Sequence, residues 1–171
     1  MKKMSRSNKL HFKMMSFVHE TLYGLFRDPD KALKAAELEP GQKVLEVGCG
    51  PGFFTVPAAR IVGEEGSVLA FDINPAAVEH VRCKIEEAGV TNARVIVADA
   101  ARTELPAGSF DLAFVFGLAH PIGDMAAIWA ELYRLLKPQG TLSIEGRLRP
   151  PERLFRFVRR QGRTAQFRKA E

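Results

Sequence analysis

The stretch that decides the fold is Val44-Leu45-Glu46-Val47-Gly48-Cys49-Gly50-Pro51-Gly52-Phe53-Phe54-Thr55. Residues 43–47 (KVLEV) read as a strand, and residues 53–62 read as a helix with Phe54, Ala58 and Ile61 on its apolar face. Between them lies a turn rich in glycine. Gly48 and Gly50 let the backbone turn tightly and approach a ligand closely. A strand that feeds a glycine turn and then a helix is the opening of an α/β unit, and its ligands bind at the carboxyl end of the strand.

Outward from this stretch the alternation continues. Residues 67–71, 93–97, 110–116 and 141–145 read as strands. Residues 75–88 read as a helix that Asn74 caps, Pro75 opens and Gly89 ends. Asp124 caps a further helix that runs through Leu136 to the stop at Lys137-Pro138. Residues 101–107 offer only a short helix or a loop. Strands alternating with helices predict an α/β fold: a Rossmann-like, doubly wound, mostly parallel sheet with helices on both faces. Two helices precede the first strand, one at about 9–25 and one that begins after Asp28-Pro29 and runs to about Ala36, and both are expected across the functional edge of the sheet.

Length supports one domain over 1–171. It divides into an N-terminal helical flank (1–36), a ligand-binding core (43–146) and a basic C-terminal segment (147–171). The net charge of +5 hides a partition. Residues 1–13 carry five basic groups and no acid, and residues 147–171 carry nine basic groups against Glu152 and Glu171. The remaining body is acidic. Such ends are ordinary solvated charge or a surface for an anionic partner. No apolar run approaches the roughly 20 residues of a membrane span, and no secretory h-region follows the N-terminal charges. Two cysteines and four histidines supply neither a disulfide framework nor a zinc ligand set, so no metal is expected and the expected compartment is the cytosol.

Two further acids stand at strand ends. Asp72 closes the second strand, where a carboxylate can accept two hydrogen bonds from a ribose diol. Asp99 follows the third strand, placed to accept from an exocyclic amine such as that of adenine. Each alone is a common turn or cap residue. The set of an acid before the glycine turn and an acid after each of the next two strands is far more specific than its parts. A dinucleotide fingerprint wants a small third residue where this chain has the bulky Phe53, and Glu46 is a poor neighbour for a pyrophosphate. A carboxylate there suits an amine-bearing or cationic ligand, which disfavours a nicotinamide-linked oxidoreductase.

With these residues in place, the sequence resembles the class I S-adenosylmethionine-dependent methyltransferases, in their type 11, ubiquinone/menaquinone-methyltransferase-like branch. The resemblance runs from about Asp28 to Glu145, through VLEVGCGPGFFT (44–55), AFDINPAAVEHV (70–81), VIVADA (95–100), FDLAFVFGLAH (110–120) and LYRLLKPQGTLSI (132–144). It implies S-adenosyl-L-methionine as cofactor and S-adenosyl-L-homocysteine as product. It also implies that Glu46, Gly48, Cys49 and Gly50 hold the amino-acid part and that Asp72 binds the ribose, with Ile73 packed on the adenine. Asp99 and Ala100 would meet the adenine edge, and Phe116 and Gly117 would line the donor pocket. Tyr23 or Phe26 would close the site. His120 is the candidate general base where the acceptor must first lose a proton; a structural or gating role is the alternative.

The resemblance leaves the acceptor open. Gly117-Leu118-Ala119-His120 replaces the tetrad of adenine or glutamine amino-methylating enzymes, and no Pro-Cys offers a cytosine nucleophile. An unidentified small molecule is the leading reading, and the basic ends favour an anionic one. The alternatives are an RNA or protein substrate docked on those ends, or a non-catalytic cofactor-binding protein. At the C-terminus too few residues follow strand five for a full crossover helix plus a parallel strand. Either 155–159 and 164–169 form a hairpin about Gln161-Gly162, giving an antiparallel edge, or 151–160 is the helix and a single edge strand follows. Both reduce the usual substrate cap, leaving the acceptor pocket open or completed by a second copy in a homodimer.

Overall fold

The computed structural model describes residues 28–117 and 123–171. Seven strands form one sheet in the order β3-β2-β1-β4-β5-β7-β6. They are β1 (Lys43–Val47), β2 (Ser67–Asp72), β3 (Ala93–Val97), β4 (Phe110–Val115), β5 (Leu136–Glu145), β6 (Phe155–Gln161) and β7 (Thr164–Lys169). The helices are α1 (Pro29–Ala35), α2 (Thr55–Val62), α3 (Pro75–Glu87) and α4 (Met125–Leu135). The first five strands are parallel, and β7 runs antiparallel to both β5 and β6.

The period-2 alternation of the strands sorts the core into two layers. Val44, Val68, Ala70, Leu112 and Phe114 face α1, α2 and α3, where Leu33, Ala58, Val62, Val78 and Val81 are buried against them. Leu45, Val47, Ala113, Val115, Leu142 and Ile144 face α4, which buries Ile128, Trp129, Leu132 and Leu135. The caps are those expected: the side chain of Asn74 accepts from Ala76 N–H, and that of Asp124 accepts from Ala126 and Ala127 N–H.

Several boundaries move. The helix expected from Phe53 begins at Thr55, because Gly52 N–H bonds back to Cys49 and the chain is still turning at Phe53. Residues 101–107 form a loop, pinned by an Asp99–Arg102 bridge. The last helix stops one residue earlier, at Leu135, and β5 starts at once at Leu136. Pro138 is accommodated there because the register against β4 shifts between Phe110 and Leu112, with Gln139 at φ 62.

The second of the expected N-terminal helices lies flat on the α2–α3 face rather than across the functional edge. Leu33 and Ala36 are fully buried there. The carbonyls that end α1 are satisfied from the sheet: Ser143 Oγ donates to Ala36 O at 2.8 Å and Gln166 Nε2 to Ala35 O at 2.7 Å. The stretch 9–25 lies outside the described residues.

The C-terminal alternatives resolve to the hairpin. No helix separates β5 from β6, and β6 and β7 pair about Gly162, which has φ 57. Leu148, Leu154 and Phe155 pack on the α4 face instead, with Phe155 edge-on to Tyr133. The antiparallel edge is therefore two strands wide.

Candidate functional site

A cavity of about 630 Å³ opens at the carboxyl ends of β1, β2, β3 and β4. The turn after β1 forms its floor. Gly48, Gly50 and Gly52 all have positive φ, at 68°, 51° and 77°. Their reasons differ. A Cβ on Gly50 would meet nothing within 4 Å, so that glycine is there for its backbone angle and leaves room at the cavity. A Cβ on Gly52 would lie 2.7 Å from Val81 Cγ2, so this glycine lets α3 pack close to the turn. Cys49 N–H bonds to Phe71 O at 2.9 Å and locks the turn to β2. The Cys49 thiol is buried in the core, and burial, reinforced by the charges of Glu46 and Asp72, pushes its pKa up. It is a packing group, not a nucleophile.

The alternation of β1 turns Glu46 toward α2, where Thr55 is the first residue. Thr55 Oγ1 donates to Glu46 Oε2 at 2.6 Å, and both residues are buried. Burial raises the Glu46 pKa to about 8, although the Thr55 hydrogen bond and the charge of Lys84 pull it down. A buried carboxyl that also lines the cavity ionises readily only when a cation arrives beside it.

Asp72 serves the turn and the cavity together. Its Oδ2 accepts from Gly50 N–H at 2.9 Å and its Oδ1 from Asn74 N–H at 2.8 Å. A carboxylate has about four acceptor sites, so two remain for a ligand's hydroxyls. Ile73 beside it is 71% exposed, an uncommon exposure for a large apolar side chain at a cavity wall. Asp99 accepts from Ala101 N–H at 2.9 Å through Oδ1, and Ala100 is buried beneath it.

Phe116 and Gly117 close the β4 side. Of the expected residues, Glu46, Gly48, Cys49, Gly50, Asp72, Ile73, Asp99, Ala100, Phe116 and Gly117 all line this one cavity. Tyr23, Phe26 and His120 lie outside the described residues. Sequence reasoning missed Thr55, nine residues from the acid it holds. It also missed Phe54 and Phe114, which make an aromatic wall with the expected Phe116: Phe54 packs edge-on to Phe116 at 5.2 Å, and Phe114 lies 5.0 Å from it. The apolar periodicity of β4 carried a signal for that wall, but an apolar strand end reads first as core.

The chain matches the family described as Methyltransferase domain over residues 44–140. It is 35% identical over 121 residues to the nocamycin O-methyltransferase of Saccharothrix syringae, covering 71% of this chain and 43% of that protein. It is 34% identical over 128 residues to the ubiquinone/menaquinone biosynthesis C-methyltransferase of Shewanella pealeana, covering 74% of this chain and 51% of that protein. The chain thus spans about half the length, or less, of these curated relatives. Among solved structures, a SAM-dependent methyltransferase from Aquifex aeolicus superposes with TM-score 0.66 at 26% identity, covering 83% of this chain and 88% of that one. A family match over more than half of the chain, on the strands that build the cavity, means that this chain belongs to the class I S-adenosylmethionine-dependent methyltransferases.

Proposed function

We propose that the chain binds S-adenosyl-L-methionine in this cavity and transfers its methyl group to a small-molecule acceptor, releasing S-adenosyl-L-homocysteine. The supporting observation is the convergence of Glu46, Asp72 and Asp99, from three successive strand ends, on one cavity floored by the glycine turn. The donor set fits the group. A buried carboxyl faces the position of an ammonium, a carboxylate with spare acceptor sites faces a diol, and an exposed carboxylate is free to take an exocyclic amine.

In this reading Glu46, held from behind by Thr55, accepts from the ammonium. Asp72 accepts from the ribose hydroxyls while keeping the turn closed through Gly50 N–H. Ile73 covers one face of the adenine, and Asp99 and Ala100 meet its edge. Phe116 and Gly117 border the reacting centre and keep water from it. When bound, the cofactor supplies a methyl group already activated on a sulfonium, so that the chain contributes mainly alignment. His120 is the proposed base for acceptors that must lose a proton, and Tyr23 the proposed closing aromatic. The reaction needs no metal from the chain. We read the location as cytosolic, a compartment in which the free thiols of Cys49 and Cys83 stay reduced.

Calorimetry tests the reading. S-Adenosylhomocysteine should bind the wild-type chain stoichiometrically, and Asp72→Ala should weaken it at least tenfold, since it removes two charge-assisted hydrogen bonds of about 1.5–3 kcal/mol each. Equal binding by the variant, or none by the wild type, overturns it.

A further inference from the structure

The carboxyl edge of the sheet changes sign of charge from one end to the other. From β3 through β2 to β1 the strands lead into Asp99, Asp72 and Glu46. Beyond β4 the edge turns basic. Because β7 runs antiparallel to β5, its first residue, Thr164, pairs with Glu145 at the end of β5, and the turn joining β6 to β7 comes to this same edge. Arg160 near the end of β6 and Arg163 in the turn come to this edge, and Arg147 follows Gly146 after β5. The corner is built rather than frayed. Gly146 N–H donates to Arg163 O at 3.2 Å, and the Arg160 guanidinium donates to Gly146 O at 3.4 Å. Arg163 Nε stands 3.5 Å from Glu145 Oε1, yet its side chain is 80% exposed. Arg147 is exposed and makes no hydrogen bond or ion pair among the described residues. Among the described residues, Arg163 is the one of the three whose guanidinium lies beside a carboxylate. Farther along the hairpin, Arg159 and Arg168 are satisfied internally, by Gln166 and Glu37 and by the Gln139 carbonyl.

This corner adjoins the site. Val115 of β4 pairs with Ile144 of β5, so Gly117 at the cavity is level with Gly146, which bonds to Arg163 in turn. Gly117 and Arg163 are two strand spacings apart, about 10 Å. An arginine side chain and a small acceptor together span that distance. The end of β5 lies between them, and the apolar wall of Phe54, Phe114 and Phe116 borders the cavity on its β4 side.

We propose that Arg147, Arg160 and Arg163 form the acceptor-recognition corner, and that the acceptor is a small molecule with an apolar body and a carboxylate, sulfonate or phosphate group. The inference rests on the cofactor reading above, which puts a cation on the acidic half of the edge. An anion on the basic half then faces guanidiniums on one side and the sulfonium on the other, whereas a cationic acceptor would meet like charge from both. The hairpin that replaces a crossover helix thus supplies the acceptor side with charge.

The test uses the full chain saturated with S-adenosylhomocysteine, so that the cofactor half is filled. The probe is 8-anilinonaphthalene-1-sulfonate, an apolar anion, followed by fluorescence, with uncharged N-phenyl-1-naphthylamine as its counterpart. Saturable binding of the anion, weakened about tenfold in Arg147→Gln/Arg160→Gln/Arg163→Gln and unchanged in Arg60→Gln, supports the proposal. If the triple variant fails to fold, Arg147→Gln alone carries the test, with about a threefold loss, because that side chain holds nothing in place. Equal affinity in wild type and variants, or equal affinity for the neutral probe, overturns it. So does a single-stranded RNA 12-mer that binds more tightly than the anion and is lost in the same variants, because the corner would then be a nucleic-acid surface. S-Adenosylhomocysteine binding, measured first on each protein, separates failure of this proposal from failure of the cofactor reading.

Discussion

Replacing Glu46 by Gln separates the charge at the floor of the cavity from its shape. In the free protein Glu46 has its pKa raised to about 8 by burial, against an ordinary 4.5. At pH 7 about nine-tenths of it is therefore protonated, and ionising it to receive an ammonium costs about 1.4 kcal/mol, one pH unit's worth. Binding of S-adenosylhomocysteine should release about 0.9 proton at pH 7, and its affinity should rise by up to tenfold per unit between pH 5.5 and 7.5. The window ends near pH 8, where Glu46 of the free protein is itself ionising. Calorimetry in buffers of differing ionisation heat measures the release directly. 5′-Methylthioadenosine, which lacks the ammonium, should bind without it. Glu46→Gln should abolish both the slope and the release, and at pH 7.5 should weaken the homocysteine ligand roughly tenfold or more by removing a charged hydrogen bond of about 1.5–3 kcal/mol. The sign for the free protein is opposite. A carboxyl with a raised folded pKa gives stability that is full below 4.5 and lost as the pH climbs to about 8. Glu46→Gln should therefore raise the unfolding temperature at pH 8 more than at pH 5. A pH-independent affinity for S-adenosylhomocysteine, or proton release that persists in the variant, would refute the reasoning.

Three other substitutions probe the scaffold. Gly52→Ala puts a Cβ 2.7 Å from Val81 Cγ2 at a φ of 77°, and should cost about 2–4 kcal/mol in denaturant unfolding; Gly50→Ala, with open space around its Cβ, should cost less. Gln166→Leu leaves the Ala35 carbonyl without its partner and takes from Arg159 one of its two, Glu37 remaining, and a loss of about 1–3 kcal/mol is expected. An unchanged midpoint would mean that α1 is not held by the hairpin.

These scaffold positions bear on how much was legible beforehand. Gly48 and Gly50 announce their turn because a positive φ is a local demand, met within one peptide unit. Gly52 has the same φ, but its need to be small comes from Val81, on the next helix, and no local pattern carries that. The C-terminal segment shows the same division. Phe155 to Arg159 fitted a strand or a helix equally, because an apolar residue at every second or third position satisfies either period over so short a run. The choice fell to the hairpin because Phe155, Ala165 and Phe167 complete the α4 layer.

By itself the sequence determined the order of strands and helices, the glycine turn and the three acids at strand ends. These rest on periodicity, capping and backbone angles that operate within about ten residues. Only the tertiary structure decided that Thr55 holds Glu46, that burial raises the pKa of that carboxyl, and that α1 lies on a sheet face. It also decided that the arginines of a distal turn stand two strands from the cavity. Each of these depends on which strand lies beside which, and on the solvent that such packing excludes. Both arise from contacts between segments distant in the chain.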